Sequence, residues 1–445
     1  MDIEINENNR WRDLKNIFER DTQFKGPNFA PSEELTNCYL EQAKVLVIGA
    51  GGLGCEILKN LALSGVKDIH VIDLDTIDLT NLNRQFLFRQ DDVGKFKSEV
   101  AAKFIMNRVP GCKVTAHVGR IEQKTDSFYK EFQIIISGLD NVGARRWLNS
   151  LVHGLCEFDD NNQPIPENQI LLIDGGTEGF KGQARVIKPF QTACYECTLG
   201  TLPNQETYNI CTIANTPRTP AHCVAYAYLI EWKKQFPDKK LDKDSIEDMQ
   251  WVFQTALQRA QQFNIEGVDY MMTMGVVKNI IPAIASTNAI IAAACVNEAV
   301  KAITDCSYVV QDYFQYMGNE GYLLIFFLIL NYFFRLHTLT FKYEKNPNCF
   351  ICSNTPIKIK ISKNMLLKDF QKLLQSKPYE FLDPSLTGQD GRLIIPVVMR
   401  DLHKEKLEMT FDQLAQQNIY KEGEIIYITD QKIHSVAKVI VSFDD

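Results

Sequence analysis

The sequence predicts an α/β protein: a Rossmann-like nucleotide-binding domain, a mainly helical insertion within it, and a small second α/β module at the C-terminal end. Three observations predict this. The apolar strand Val45-Leu46-Val47-Ile48 runs straight into Gly49-Ala50-Gly51-Gly52-Leu53-Gly54 and a helix from Cys55 to Ser64, and a second strand, Ile69 to Ile72, ends at Asp73. A further apolar strand, Ile134-Ile135-Ile136-Ser137, leads to Asp140 and Asn141. After Cys352 the pattern starts again with the alternating Ile357-Lys358-Ile359-Lys360-Ile361, the period of a half-buried strand.

The glycines Gly49, Gly51, Gly52 and Gly54 let the backbone turn tightly and approach a phosphate, and the helix that follows offers free N–H groups and a partial positive charge. Asp73 is placed to accept a ribose hydroxyl. Alone, this fingerprint favours a dinucleotide-binding oxidoreductase. Asn81-Leu82-Asn83-Arg84-Gln85 and then Lys97 shift the reading, because cations so soon after the ribose acid suit a triphosphate, whose charge they offset. Together, Gly49–Gly54, Asp73-Leu74-Asp75-Thr76-Ile77-Asp78 and the stretch from Asn81 to Arg89 resemble the adenylation domain of ubiquitin-like-protein activating enzymes. The resemblance implies ATP as cofactor, held by the glycine turn, Asp73, Asp75, Asn81, Arg84, Gln85, Lys97, Asp140 and Asn141.

The 445 residues allow two to four domains. With a net charge of −7, a general basic surface for nucleic acid is not expected. The acidic, polar start Met1-Asp2-Ile3-Glu4 is no secretory signal, so the 12 cysteines read as thiols, metal ligands or catalysts in the cytoplasm and nucleus. The apolar run from Tyr322 to Phe334 is shorter than the roughly 20 residues of a membrane span and contains Asn331. It reads as a buried element, and no membrane contact is expected.

Arg10 to Arg20 reads as a packing helix. Ala101–Val109 is a helix, and Lys113–Val118 a strand. Beyond the strand at 134–137, Asp140 faces the end of the sheet where ligands bind, and the same residues can cap a helix from Ala144 to Leu151. The family's pattern places a magnesium-binding aspartate at Asp140. Ile170–Gly179 and Gln183–Ile187 are strands, the second carrying Arg185. Residues 204–270 are polar, with helices at Cys223–Phe236 and Ile246–Phe263, and read as the insertion. Residues 1–203 and 271–352 form the two parts of the nucleotide domain, with an apolar helix at Ile280–Ala302. Residues 353–445, with a helix at Leu366–Gln375 and strands at Leu393–Met399 and Ile425–Thr429, resemble a ubiquitin-like β-grasp module.

Cys194-x-x-Cys197 and Cys349-x-x-Cys352 are a strong zinc signal, because four thiolates make a closed, structural tetrahedral site. A lone Cys211 would more often be a small buried residue than a nucleophile. Its context, Cys211-Thr212-Ile213 followed by Pro217-Arg218 and His222-Cys223, is similar to the active-site cysteine motif of the activating enzymes. Thr212 and Arg218 are then candidate helpers. His222 reads more readily as a core or capping residue than as a general base, and Cys223 as structural.

The resemblance covers nearly the whole chain and is closest to the catalytic subunits of the neddylation branch. The chain has one nucleotide domain, a short C-terminal end, and Arg185 where that branch uses an arginine to select its modifier. The resemblance implies adenylation of a modifier's C-terminus, thioester formation on Cys211, and transfer to a conjugating enzyme recruited by the C-terminal domain. It also implies a heterodimer with a pseudo-enzyme regulatory subunit that supplies an arginine to the ATP site. The alternatives are a SUMO-like activating subunit, a sulfur-carrier adenylyltransferase, and a non-enzymatic binding subunit. Leu323 to Leu336 departs from the family's pattern and reads as an insertion whose deletion preserves solubility and activity.

Overall fold

The computed structural model describes residues 10–161, 163–165, 168–201, 210–237, 239, 241–242, 245–278, 283–309, 313–318, 337–353, 355–395 and 404–443. The apolar run 322–334 lies outside them. No described helix is long and apolar enough to cross a membrane. The chain forms two compact units: residues 1–201 with 283–445, and residues 202–282.

The first unit is built on an eight-stranded sheet. Its strands are β1 (Lys44–Ile48), β2 (Asp68–Asp73), β3 (Lys113–Val118), β4 (Ile134–Ser137), β5 (Leu171–Glu178), β6 (Lys181–Ile187), β7 (Tyr313–Met317) and β8 (His337–Phe341). Their order is β3-β2-β1-β4-β5-β6-β7-β8. The first five are parallel, and β6 to β8 continue the sheet antiparallel. Both faces of the parallel part are covered, which is why β1 from Val45 to Ile48 and β4 from Ile134 to Ile136 run apolar without alternating. Leu46, Ile48 and Ile135 face one core; Val45, Val47, Ile134 and Ile136 face the other. The strand order reverses between β1 and β4, and a ligand crevice opens at such a switch point.

The C-terminal module has a second sheet, made of β9 (Ile357–Ile361), β10 (Ser385–Thr387), β11 (Leu393–Ile395), β12 (Ile425–Thr429) and β13 (Ala437–Phe443), in the order β11-β10-β12-β13-β9. First and last strands lie parallel at one edge of the sheet, and the amphipathic helix Leu367–Gln375 buries Leu367, Phe370 and Leu374 against the module's core. This is the expected β-grasp arrangement. Its strand β13 adds Ala437, Val439 and Val441 to the core on alternate positions.

A buried ion pair joins this module to the nucleotide domain. The Arg146 guanidinium donates to both carboxylate oxygens of Glu196, at 2.6 and 3.1 Å, and to the carbonyls of Tyr379 and Glu380 at 3.0 and 2.9 Å. Arg146 and Glu196 side chains are 1% and 2% exposed. Every charge is matched, which is the condition for a buried pair to be tolerated.

The second unit is helical in its described parts. The helices Pro220–Tyr226, Ile246–Gln262 and Tyr270–Lys278 close on Val224, Met249, Val252, Ala256 and Val277. The sequence reading ended the insertion at 270. The helix Tyr270–Lys278 packs into this core, and the compact unit extends to Pro282. The segment Cys223–Phe236, read as one helix, is an α-helix to Tyr226, a π turn over Ala227–Glu231, and α again over Trp232–Gln235.

Candidate active site

The register of the parallel strands builds the nucleotide site. Ile48 pairs with Ile72 on one side and with Ser137 on the other. The next residues, Gly49, Asp73 and Gly138, therefore lie in one layer. Gly49 N–H donates to Ile72 O, and Gly138 N–H to Ile48 O, both at 2.9 Å. The chain turns over this layer at Gly49, whose φ of +92° is left-handed territory that glycine alone adopts freely. Gly54, in the first turn of the helix Gly52–Leu63, packs onto that turn. A Cβ on Gly54 would sit 1.9 Å from Gly49 O. At Gly51 the nearest atom to an added Cβ is Gln85 Nε2 at 3.9 Å. That open space over a helix N-terminus, which only a side chain would fill, fits a phosphate.

Asp73 holds the turn with both oxygens. Oδ2 accepts from Ala50 N–H at 2.6 Å and Oδ1 from Asp75 N–H at 2.8 Å. Burial raises its pKa, against the lowering effect of these two N–H groups. Asp75 and Lys97 meet as an ion pair at 2.8 Å, on the bridge between Thr76 and Phe96. Arg84 Nη1 donates to Thr80 O and Asn83 Oδ1, each at 3.0 Å. Asn81 Oδ1 accepts from Asp78 N–H in a capping box. Gln85 is buried, with its Oε1 unpartnered. Asp140 is exposed past the end of β4, and Asn141 Oδ1 caps the helix Val142–Gly154 through Ala144 N–H at 2.7 Å. The capping expectation thus falls on Asn141, which leaves the Asp140 carboxylate turned outward.

Two residues at this site were not read from the sequence. Asn288, in the first turn of the helix Ala285–Thr304, accepts from Thr177 Oγ1 at 2.7 Å, and its Nδ2 lies 2.4 Å from where a Cβ of Gly52 would stand. Arg145 bridges the ends of β4 and β5. Asn288 meets Thr177, and Arg145 meets Asp174 and Gly175, across more than 25 residues of chain, for which no local spacing exists.

Arg185 lies within β6 and is 6% exposed. Its guanidinium carbon sits 5.2 Å from the Tyr313 ring and 5.7 Å from those of Tyr195 and Tyr343. Nη2 donates to Thr198 Oγ1 at 2.8 Å, and Nη1 is buried and unpartnered.

The four cysteines of the two pairs come together. Cys194 Sγ lies 3.8 Å from Cys197 and 3.5 Å from Cys349, and Cys197 Sγ lies 3.3 Å from Cys352. All four sulfurs fall within 4.8 Å of one another. Zinc–thiolate bonds of about 2.3 Å in a tetrahedron put sulfurs about 3.8 Å apart, so the donor set fits zinc. The site would tie the loop after β6 to the chain entering the C-terminal module. Cys352→Ser leaves three ligands and no closed site. We expect it to lose one zinc per chain by metal analysis and to lower Tm, since metal binding is folding energy.

Within the second unit, Cys211 falls in the short helix Ile210–Asn215. Its side chain lies outside the described residues. Arg259 Nη2 donates to the carbonyls of Ile213 and Ala214 near the end of this helix, and its guanidinium stacks on the Tyr226 ring at 3.9 Å. His222 Nδ1 accepts from Arg218 N–H at 3.1 Å, a structural use of that nitrogen. Cys223 is fully buried, and burial pushes its thiol pKa up.

Residues 28–349 match the ThiF family and residues 360–443 the E2 binding domain. Over 440 residues the chain is 46% identical to the NEDD8-activating enzyme E1 catalytic subunit of Dictyostelium discoideum, covering 97% of this chain and 96% of that one. To the subunit of the same name from Arabidopsis thaliana it is 42% identical over 439 residues, 97% of this chain and 93% of that one. The SUMO-activating enzyme subunit 2 of Dictyostelium discoideum is 39% identical, but over 47% of this chain and 30% of that one. With end-to-end identity on one side, a partial match on the other, and an E2 binding domain that a sulfur-carrier adenylyltransferase does not explain, the chain belongs to the family of NEDD8-activating enzyme E1 catalytic subunits.

Proposed function

We propose that this chain adenylates the C-terminus of a NEDD8-like modifier, takes it as a thioester on Cys211, and passes it to a conjugating enzyme bound by the C-terminal module. The observation that carries the first step is the layer Gly49–Asp73–Gly138 beneath an open glycine cradle, with the exposed Asp140 two residues beyond Gly138. A modifier carboxylate oxygen attacks the α-phosphorus of ATP. The bond to the β-phosphate breaks, and pyrophosphate leaves with the electron pair. Asp73 holds the turn and faces the ribose. Arg84 and Lys97 exchange their present partners, Thr80, Asn83 and Asp75, for phosphate oxygens. Asp140 would hold magnesium, which supplies positive charge against the phosphates. The Cys211 thiolate then attacks the acyl carbon, a C–S bond forms, and AMP leaves. A thiol suits this role, being nucleophilic near neutral pH and a good leaving group in the next transfer. Zinc would be structural.

A pseudo-enzyme partner subunit completes the ATP site in this reading. Modifier-dependent ATP–pyrophosphate exchange by the heterodimer tests it, and exchange that ignores the modifier contradicts it. Arg185 acts in modifier choice. Its cation disfavours a modifier with an arginine near the C-terminal tail and accepts one with a small residue there. Arg185→Gln is expected to raise kcat/KM for ubiquitin relative to the NEDD8-like modifier. An unchanged ratio in a variant with wild-type Tm removes the residue from this role.

A further inference from the structure

We propose that Arg145 is a positioning residue for Asp140, setting the carboxylate where the adenylation reaction needs its cation. The inference rests on the adenylation reading above. The β4–β5 register ends at Ser137 opposite Asp174. Past that point the Arg145 guanidinium joins the two strand exits. Nη2 donates to Leu139 O at 2.5 Å and to Gly175 O at 2.9 Å, and Nη1 donates to Asp174 Oδ2 at 2.5 Å. Gln183 Nε2 donates to the same Asp174 oxygen at 3.0 Å. The Arg145 and Asp174 side chains are 12% and 3% exposed. Gly176 admits the guanidinium, since a Cβ there would lie 3.1 Å from Nη2.

Asp140 is thus fixed from both sides. The carbonyl before it is held by Arg145, and the residue after it caps its own helix. Its side chain is exposed, past the end of β4, and open to a ligand. A planar fork can meet three acceptors at once; a lysine ammonium offers one point charge. Arg145→Lys keeps a cation beside Asp174 and gives up the hold on Leu139.

The test uses the heterodimer with its modifier. Arg145→Lys is expected to raise the magnesium concentration for half-maximal ATP–pyrophosphate exchange about tenfold, the scale of a lost outer partner of a metal ligand. Manganese affinity of the ATP-loaded heterodimer, read by electron paramagnetic resonance, is expected to fall in parallel. Gly176→Ala is the second variant. It crowds the guanidinium and is expected to shift both constants in the same direction. An unshifted magnesium requirement and manganese affinity in whichever variant folds overturns the role. Wild-type protein without modifier-dependent exchange removes the adenylation reading itself, whatever the variants do.

Discussion

Cys211→Ala is expected to abolish the reducing-agent-sensitive adduct with the modifier and all charging of a conjugating enzyme, and to keep ATP–pyrophosphate exchange at the wild-type rate. The two chemistries use different parts of the chain. In the proposed mechanism adenylation draws on the glycine turn, Arg84, Lys97 and Asp140, all in the unit of residues 1–201 and 283–445; Cys211 belongs to the unit 202–282. Making the adenylate needs no thiol, and exchange reads that step alone. Asp140→Ala is expected to lose both activities, exchange by at least about a hundredfold, the scale of a lost charge partner in a transition state. A thioester that moves to Cys223 in the Cys211→Ala variant would mean that the nucleophile was misassigned. The burial that raises the Cys223 thiol argues against this. Exchange lost in Cys211→Ala would mean that the two steps are not separable.

Gly54→Ala is expected to remove nucleotide binding and to lower stability. Its new methyl would stand 1.9 Å from Gly49 O, a backbone atom with nowhere to rotate. Either the turn or the helix must shift, and forcing extra volume into a packed site costs about 1–3 kcal/mol. Gly51→Ala is the informative contrast. Its methyl meets nothing within 3.9 Å, so Tm is expected to stay at the wild-type value while KM for ATP rises, because the methyl occupies the phosphate cradle. Equal effects of the two substitutions on both Tm and KM would contradict this division of labour between the glycines.

The parts of the fold that were readable are those fixed by local pattern. The run Val45–Gly54 specifies a buried strand and a tight glycine turn into a helix, and the structure has both, with the turn made at Gly49 and the helix starting at Gly52, three residues before the expected Cys55. The alternation at Ile357–Ile361 reads out as a strand with every second residue buried. The same alternation runs through Ala437–Phe443 and went unread, although it forms the strand that pairs with Ile357–Ile361. Tyr313–Met317 is mostly half-buried and carries little period; its strand exists through pairing with Lys181–Arg185. The two cysteine pairs were legible because thiolate spacing has few other uses. Arg145, Arg146 and Asn288 were not, because an arginine or asparagine inside a helix has no pattern until the fold brings Asp174, Glu196 or Thr177 beside it. The capping role of Asn81 and the Asp75–Lys97 pair likewise depend on turns that residue types alone leave open.

The most direct test of the account is the site of the adduct itself. The chain is combined with its partner subunit, ATP, magnesium and the NEDD8-like modifier, then examined by intact mass and peptide mapping under non-reducing conditions. The account predicts a gain of one modifier mass that requires ATP, disappears with thiol reductant, and maps to the peptide carrying Cys211. An adduct on any other cysteine, one that survives reductant, or no ATP-dependent gain with the heterodimer assembled would contradict it.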